Sequence, residues 1–94
     1  MGVLSSEQLD QAVASLGEGW AERDGALRKR YHFSDFAGAM SFANRVAAAA
    51  ESAGHHPDML VGWGRVELAW MSHDVGGISE RDIEMARTSD RLNV

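Results

Sequence analysis

The 94-residue chain contains no cysteine, which excludes disulfide frameworks, thiolate metal centres and cysteine nucleophiles. It has a single proline, and 45% of its residues are hydrophobic, the composition of a folded globular domain rather than a disordered one. Basic residues are in the minority. Nine Lys and Arg face fourteen Asp and Glu, for a net charge of -5. With a pI near 5.2, that balance argues against a nucleic-acid backbone as partner. Arg28, Lys29 and Arg30 form the only basic run. No apolar stretch approaches the roughly 20 residues that cross a bilayer, so no membrane span is expected. No charged-then-apolar signal segment is visible, and a cytoplasmic location is the default expectation. Met1-Gly2-Val3-Leu4-Ser5-Ser6 fits the pattern for N-terminal acylation, but no basic cluster follows to supply a second membrane signal. A chain this short closes one hydrophobic core, so residues 1–94 are expected to form one domain.

Periodicity gives an order of elements. Ser5 or Ser6 can cap a first helix running to about Leu16, with Leu9, Val13 and Leu16 on one face and Gly17 as its stop. Asp24-Gly25 between two extended segments, Gly19 to Arg23 and Ala26 to Phe33, predicts a hairpin, although Lys29 interrupts the apolar face of Leu27, Tyr31 and Phe33. A second helix opens at Ser34 or Asp35, carries Phe36, Met40, Ala43, Val46, Ala47 and Ala50 at helical spacing, and stops at Gly54. A second hairpin, Met59 to Trp63 and Val66 to Ser72, turns through Gly64-Arg65, with Gly64 at the first central position of a type II′ turn. His73-Asp74-Val75-Gly76-Gly77 reads as a flexible loop. Ser79-Glu80-Arg81-Asp82 opens a third helix with a cap signature. The expected fold is α+β: a two-layer sandwich with a four-stranded antiparallel sheet and three helices on one face.

Three histidines carry the chemical interest. His55 and His56 precede Pro57, which disfavours the helical conformation just before it, so both imidazoles sit on a turn. Glu51 lies four residues before His55 and can orient an imidazole. His73 arrives from the end of a strand. Histidine gives and takes protons near neutral pH, and an elimination needs one group to protonate and another to deprotonate. A solvated turn at a helix C-terminus is the plainer account of an adjacent His pair. A metal site is not expected: adjacent histidines fit poorly on one ion, and no zincin spacing is present.

The longer pattern is more specific. Glu51, three residues, His55-His56-Pro57, five residues, Trp63, nine residues, His73, eight residues and Asp82 together resemble the pterin-4a-carbinolamine dehydratase family. Gly19-Trp20, Tyr31 to Phe36 and His73 to Ile83 extend the resemblance over nearly the whole chain. Gly54 and Met71 depart from it, standing where many members have a polar residue and a small hydroxyl residue. The resemblance implies removal of water from a 4a-hydroxytetrahydropterin to give quinonoid dihydropterin, with no cofactor and no metal. It implies proton transfer by His55 and His73, with His56 mainly holding the pterin. Glu51 would orient the histidines, Trp20 would wall the ring, and Ser72 and Asp74 would complete the polar contacts around His73. Pro57, Trp63 and Asp82 would support the site, Asp82 by bonding backbone N–H groups at its helix start. A homodimer or homotetramer is implied as well. The same family includes a dimerisation cofactor of a transcription factor and carboxysome-assembly relatives, so the competing reading is a non-catalytic interaction protein.

Overall fold

In the computed structural model, which describes residues 2–94, the central strand β4 (Arg65–Trp70) buries Val66, Leu68 and Trp70 and turns the alternate residues to the other face. That strict alternation is the mark of a sheet covered on one side. Strand β2 (Ala26–His32) pairs with one edge of β4 and β3 (Asp58–Gly62) with the other, while the short β1 (Ala21–Arg23) extends β2. The sheet order is β1-β2-β4-β3, antiparallel throughout, with Leu27 opposite Trp70 and Val61 opposite Val66. Helices α1 (Ser6–Ala14), α2 (Phe36–Ala53) and α3 (Glu80–Leu92) accompany it. The expected α+β architecture is the one observed. Met1, the first residue of the acylation pattern, lies outside the described residues. Among them, no helix is long and apolar enough to cross a membrane.

Local chemistry explains most boundaries. Ser5 Oγ accepts from the Gln8 N–H and Gln8 Oε1 accepts from the Ser5 N–H, a reciprocal cap that starts α1. The helix ends at Ala14, two residues before the expected Leu16, whose N–H bonds Val13 in a tighter turn. In the first hairpin Asp24 and Gly25 both have positive φ, 53° and 79°, as a type I′ turn requires. The second hairpin differs from expectation. Its two-residue turn is Trp63-Gly64, closed by the Gly62–Arg65 pair, and Gly64 takes a φ of 69° at the second central position instead of the first. The buried stripe of α2 is Ala39, Phe42, Ala43, Val46 and Ala50. Phe36, expected on that stripe, is the first helical residue and is 48% exposed.

Lys29 proves to be a member of the core face. Its Nζ lies 4.7 Å from the centre of the Tyr31 ring and 5.6 Å from that of Trp20, and 2.8 Å from Asp90 Oδ1. Asp90 also accepts from Trp20 Nε1, at 3.1 Å, and from the Tyr31 hydroxyl. Burial works to raise the Asp90 carboxyl, but the bonds from Lys29, Tyr31 and Trp20 outweigh it and hold the group below the usual carboxylate range. Burial, then the bond to Asp90, pushes the Tyr31 phenol above its ordinary value.

A carboxylate whose folded pKa is depressed stabilises the protein above its unfolded value, near 3.9, and that contribution disappears as the pH falls through the lower folded value. Asp90→Asn should therefore cost about 2 kcal/mol at neutral pH, with the gap from wild type closing below about pH 4. Urea unfolding of both proteins at pH 7 and pH 3 checks this; equal stability at pH 7 contradicts it.

Candidate active site

The end of α2 sets the first two histidines. Gly54 adopts the left-handed conformation, φ 65°, and its N–H returns to the helix end, so the chain turns sharply and delivers His55 to the α3 side. His55 Nε2 lies 2.6 Å from Asp82 Oδ1, and its ring stacks on Trp70 with centroids 5.7 Å apart at 29°. Its side chain is 11% exposed. Held by edge and face, it has little rotational freedom.

Asp82 is fully buried, at 0% exposure. Its second oxygen accepts from Ser72 Oγ at 2.8 Å and from the Ser79 N–H at 2.9 Å. Ser72 has one hydroxyl proton, given to Asp82, so Ser79 Oγ, 2.7 Å away, donates to Ser72. The expected bond from Asp82 to a backbone N–H at its helix start is present. In addition it is the partner of His55, the role expected of Glu51. Glu51 instead meets His56, Oε1 to Nε2 at 2.7 Å, and both of those side chains are exposed. The N3 position in a cap signature was visible in sequence; the use of its other oxygen by a histidine 27 residues away was not.

His73 stands on the turn between β4 and α3. The expected flexible loop is a closed one: the Ser72 carbonyl accepts from the Val75, Gly76 and Gly77 N–H groups, and the Ser72 N–H bonds Gly77 O at 2.8 Å. His73 is exposed, and no described side chain hydrogen-bonds its ring. Asp74 pairs with Arg81 of α3. The hydrogen bond from the Arg81 guanidinium lowers the Asp74 carboxyl below its ordinary value.

Two proposed site residues are placed elsewhere, and a third is sealed behind the site. Trp20 is buried with its N–H on Asp90, eight residues or about 12 Å along α3 from Asp82, so its ring serves the core. Trp63 is 72% exposed at the turn of the β3–β4 hairpin, a strand's length, roughly 20 Å, from Ser72. Ser72 is sealed at 0% exposure and acts behind Asp82, not on a ligand. Pro57, half-buried, follows the two histidines into β3. A cavity of about 240 Å³ opens beside His55, lined by Ala53, Glu80, Arg81, Glu84 and Met85. A larger hollow, about 460 Å³, lies on the uncovered sheet face among Arg23, Arg28 and Leu60 and contains none of the three histidines; of the three, the smaller one is lined by His55, and neither His56 nor His73 is in its wall. Among the described residues no three His, Asp or Glu side chains converge as a metal-ligand set.

The family model for pterin 4 alpha carbinolamine dehydratase matches residues 2–92. The chain belongs to this family. A Koribacter versatilis protein, named as a candidate pterin-4-alpha-carbinolamine dehydratase, is 49% identical over 90 residues, covering 96% of this chain and 92% of that one. A Thermosynechococcus vestitus protein named in the same way is 40% identical, covering 97% and 95%. The crystal structure of a transcriptional coactivator/pterin dehydratase from Brucella melitensis superposes with a TM-score of 0.93 at 29% identity, covering 99% of this chain and 100% of that one. A pterin dehydratase-like RuBisCO assembly factor of the alpha-carboxysome gives 0.70 at 25% identity, covering 81% and 90%.

The two imidazole–carboxylate pairs differ in environment, and so should the cost of breaking them. Asp82→Ala leaves buried groups of Ser72, Ser79 and His55 without a partner and should lower stability by about 3 kcal/mol. Glu51→Ala removes an exposed pair and should cost less than about 1 kcal/mol. Denaturant unfolding compares them, and similar losses for both would show the Asp82 cluster to be of no special weight.

Proposed function

We propose that this protein removes water from a 4a-hydroxytetrahydropterin to give quinonoid dihydropterin by histidine acid/base catalysis, using no cofactor. The observation that carries the reading is His55, fixed between Trp70 and a buried carboxylate beside a cavity. With Nε2–H donating to ionised Asp82, the neutral ring keeps its lone pair on Nδ1; when Nδ1 takes a proton, Asp82 stabilises the cation. His73, whose ring no described side chain hydrogen-bonds, stands open to solvent.

In the reaction the C4a–O bond breaks and its electron pair leaves with the hydroxyl, which takes up a proton and departs as water. The neighbouring ring nitrogen loses its proton as the C=N bond forms. Nothing is oxidised or reduced. His55 and His73 divide the two proton transfers, His56 holds the pterin with Glu51 fixing its ring, and Asp74 sets the His73 turn. Such a step asks mainly for placed acid and base groups and a bound planar ligand, which a small domain can supply.

The second reading, an assembly role without catalysis, draws on the RuBisCO assembly factor and the transcriptional coactivator/pterin dehydratase among the structural relatives. The same fold presents an uncovered edge strand, β3, with Met59 and Leu60 exposed, suited to pairing with a second copy in a homodimer or homotetramer. A purely assembling protein has no need of all three histidines, His55, His56 and His73, and we favour catalysis on that ground.

Stopped-flow absorbance with freshly generated 4a-hydroxytetrahydropterin should show dehydration well above the buffer rate; a folded sample with no acceleration overturns the proposal. His55→Ala and His73→Ala should each reduce kcat by about a hundredfold to ten-thousandfold, with circular dichroism unchanged.

A further inference from the structure

We infer that Arg81, through its ion pair with Asp74, is the positioning residue for His73, so that one turn of α3 sets both proton-transferring imidazoles. The inference rests on the dehydration proposed above for its kinetic consequence, and on geometry for the rest. Arg81 and Asp82 are adjacent in the first turn of α3. Asp82 holds His55 directly, while Arg81 Nη2 holds Asp74 Oδ1, next in sequence to His73.

The backbone bonds to Ser72 close the base of the His73–Gly77 turn. On its outer arm the Gly76 N–H reaches the His73 carbonyl at 3.3 Å, but these backbone bonds leave the exposed side chains of His73 and Asp74 unfixed. Among the described residues, the bond from Arg81 is the only side-chain hydrogen bond made to the His73 or Asp74 side chain. An ordinary surface ion pair contributes little, because two long mobile side chains must be ordered to form it. Arg81 is not ordinary in this respect. Its Nε is buried and its side chain forms part of the wall of the cavity beside His55, so the stem is anchored although the side chain as a whole is 37% exposed. What remains to be ordered is the guanidinium tip and the short Asp74 side chain.

A residue that acts by aiming an imidazole affects proton transfer more than binding. Arg81→Gln and Asp74→Asn should each lower kcat by about ten- to hundredfold, with KM changed no more than about twofold. In both, the ¹⁵N relaxation order parameters of the Asp74 and Val75 amides should fall, while the His55 ring signals stay in place. The exchanged double variant, Arg81→Asp with Asp74→Arg, should recover both order and much of kcat. Unchanged order parameters in the two single variants, or a folded exchange variant no better than either, overturns the latch. If the wild-type protein shows no dehydration, the proposed activity fails while the relaxation measurements still decide whether Arg81 orders the turn.

Discussion

A carboxylate sealed from water must have its charge answered within the protein, and Asp82 is answered from three parts of the chain. His55 comes from the corner after α2, Ser72 from the end of β4, and the Ser79 N–H from the start of α3. Removing a charge from water costs several kcal/mol unless hydrogen bonds compensate, so the three segments are obliged to meet around it. The candidate site is a by-product of that obligation. The group that needs burying is the one that fixes His55, and Ser72, which it also binds, is the residue around which the His73 turn closes.

A second carboxylate does similar work at the other end of α3. Asp90 gathers Lys29, Tyr31 and Trp20, and so anchors the C-terminal half of the helix to β2. Between these two polar points the contact is apolar, with Ile83 and Ala86 buried against the sheet layer. The helix is thereby held in register along its length, which matters because its first turn carries Arg81 and Asp82. A slip of one residue there would turn Asp82 away from His55 by about 100°.

Much of the fold was legible because its signals are local. Asp24-Gly25, the Asp35 and Gly54 caps of α2 and the alternation of Val66, Leu68 and Trp70 each act within a few residues. The corner that carries His55 and His56 was legible from the Gly54 stop and the following proline. What sequence could not show were pairings across long separations. Lys29 looked like a fault in an apolar strand because Asp90 is 61 residues away, and Asp82 looked like a simple cap because its second partner is 27 residues away. Trp20 and Trp63 were assigned to the site by resemblance, whereas one ring is consumed by the core and the other caps a distant turn. The misplaced turn at Gly64 has a smaller cause: a glycine suits either central position, and the strand pairing, not the residue, chose between them.

The account stands on His55 and His73 facing one ligand. Titration with a stable dihydropterin, followed by the ring resonances of selectively labelled histidines, tests this directly. It predicts saturable shifts of both the His55 and the His73 rings at one common affinity, with His32 unmoved. A ligand that shifts neither ring, or shifts His55 while leaving His73 untouched, would contradict it.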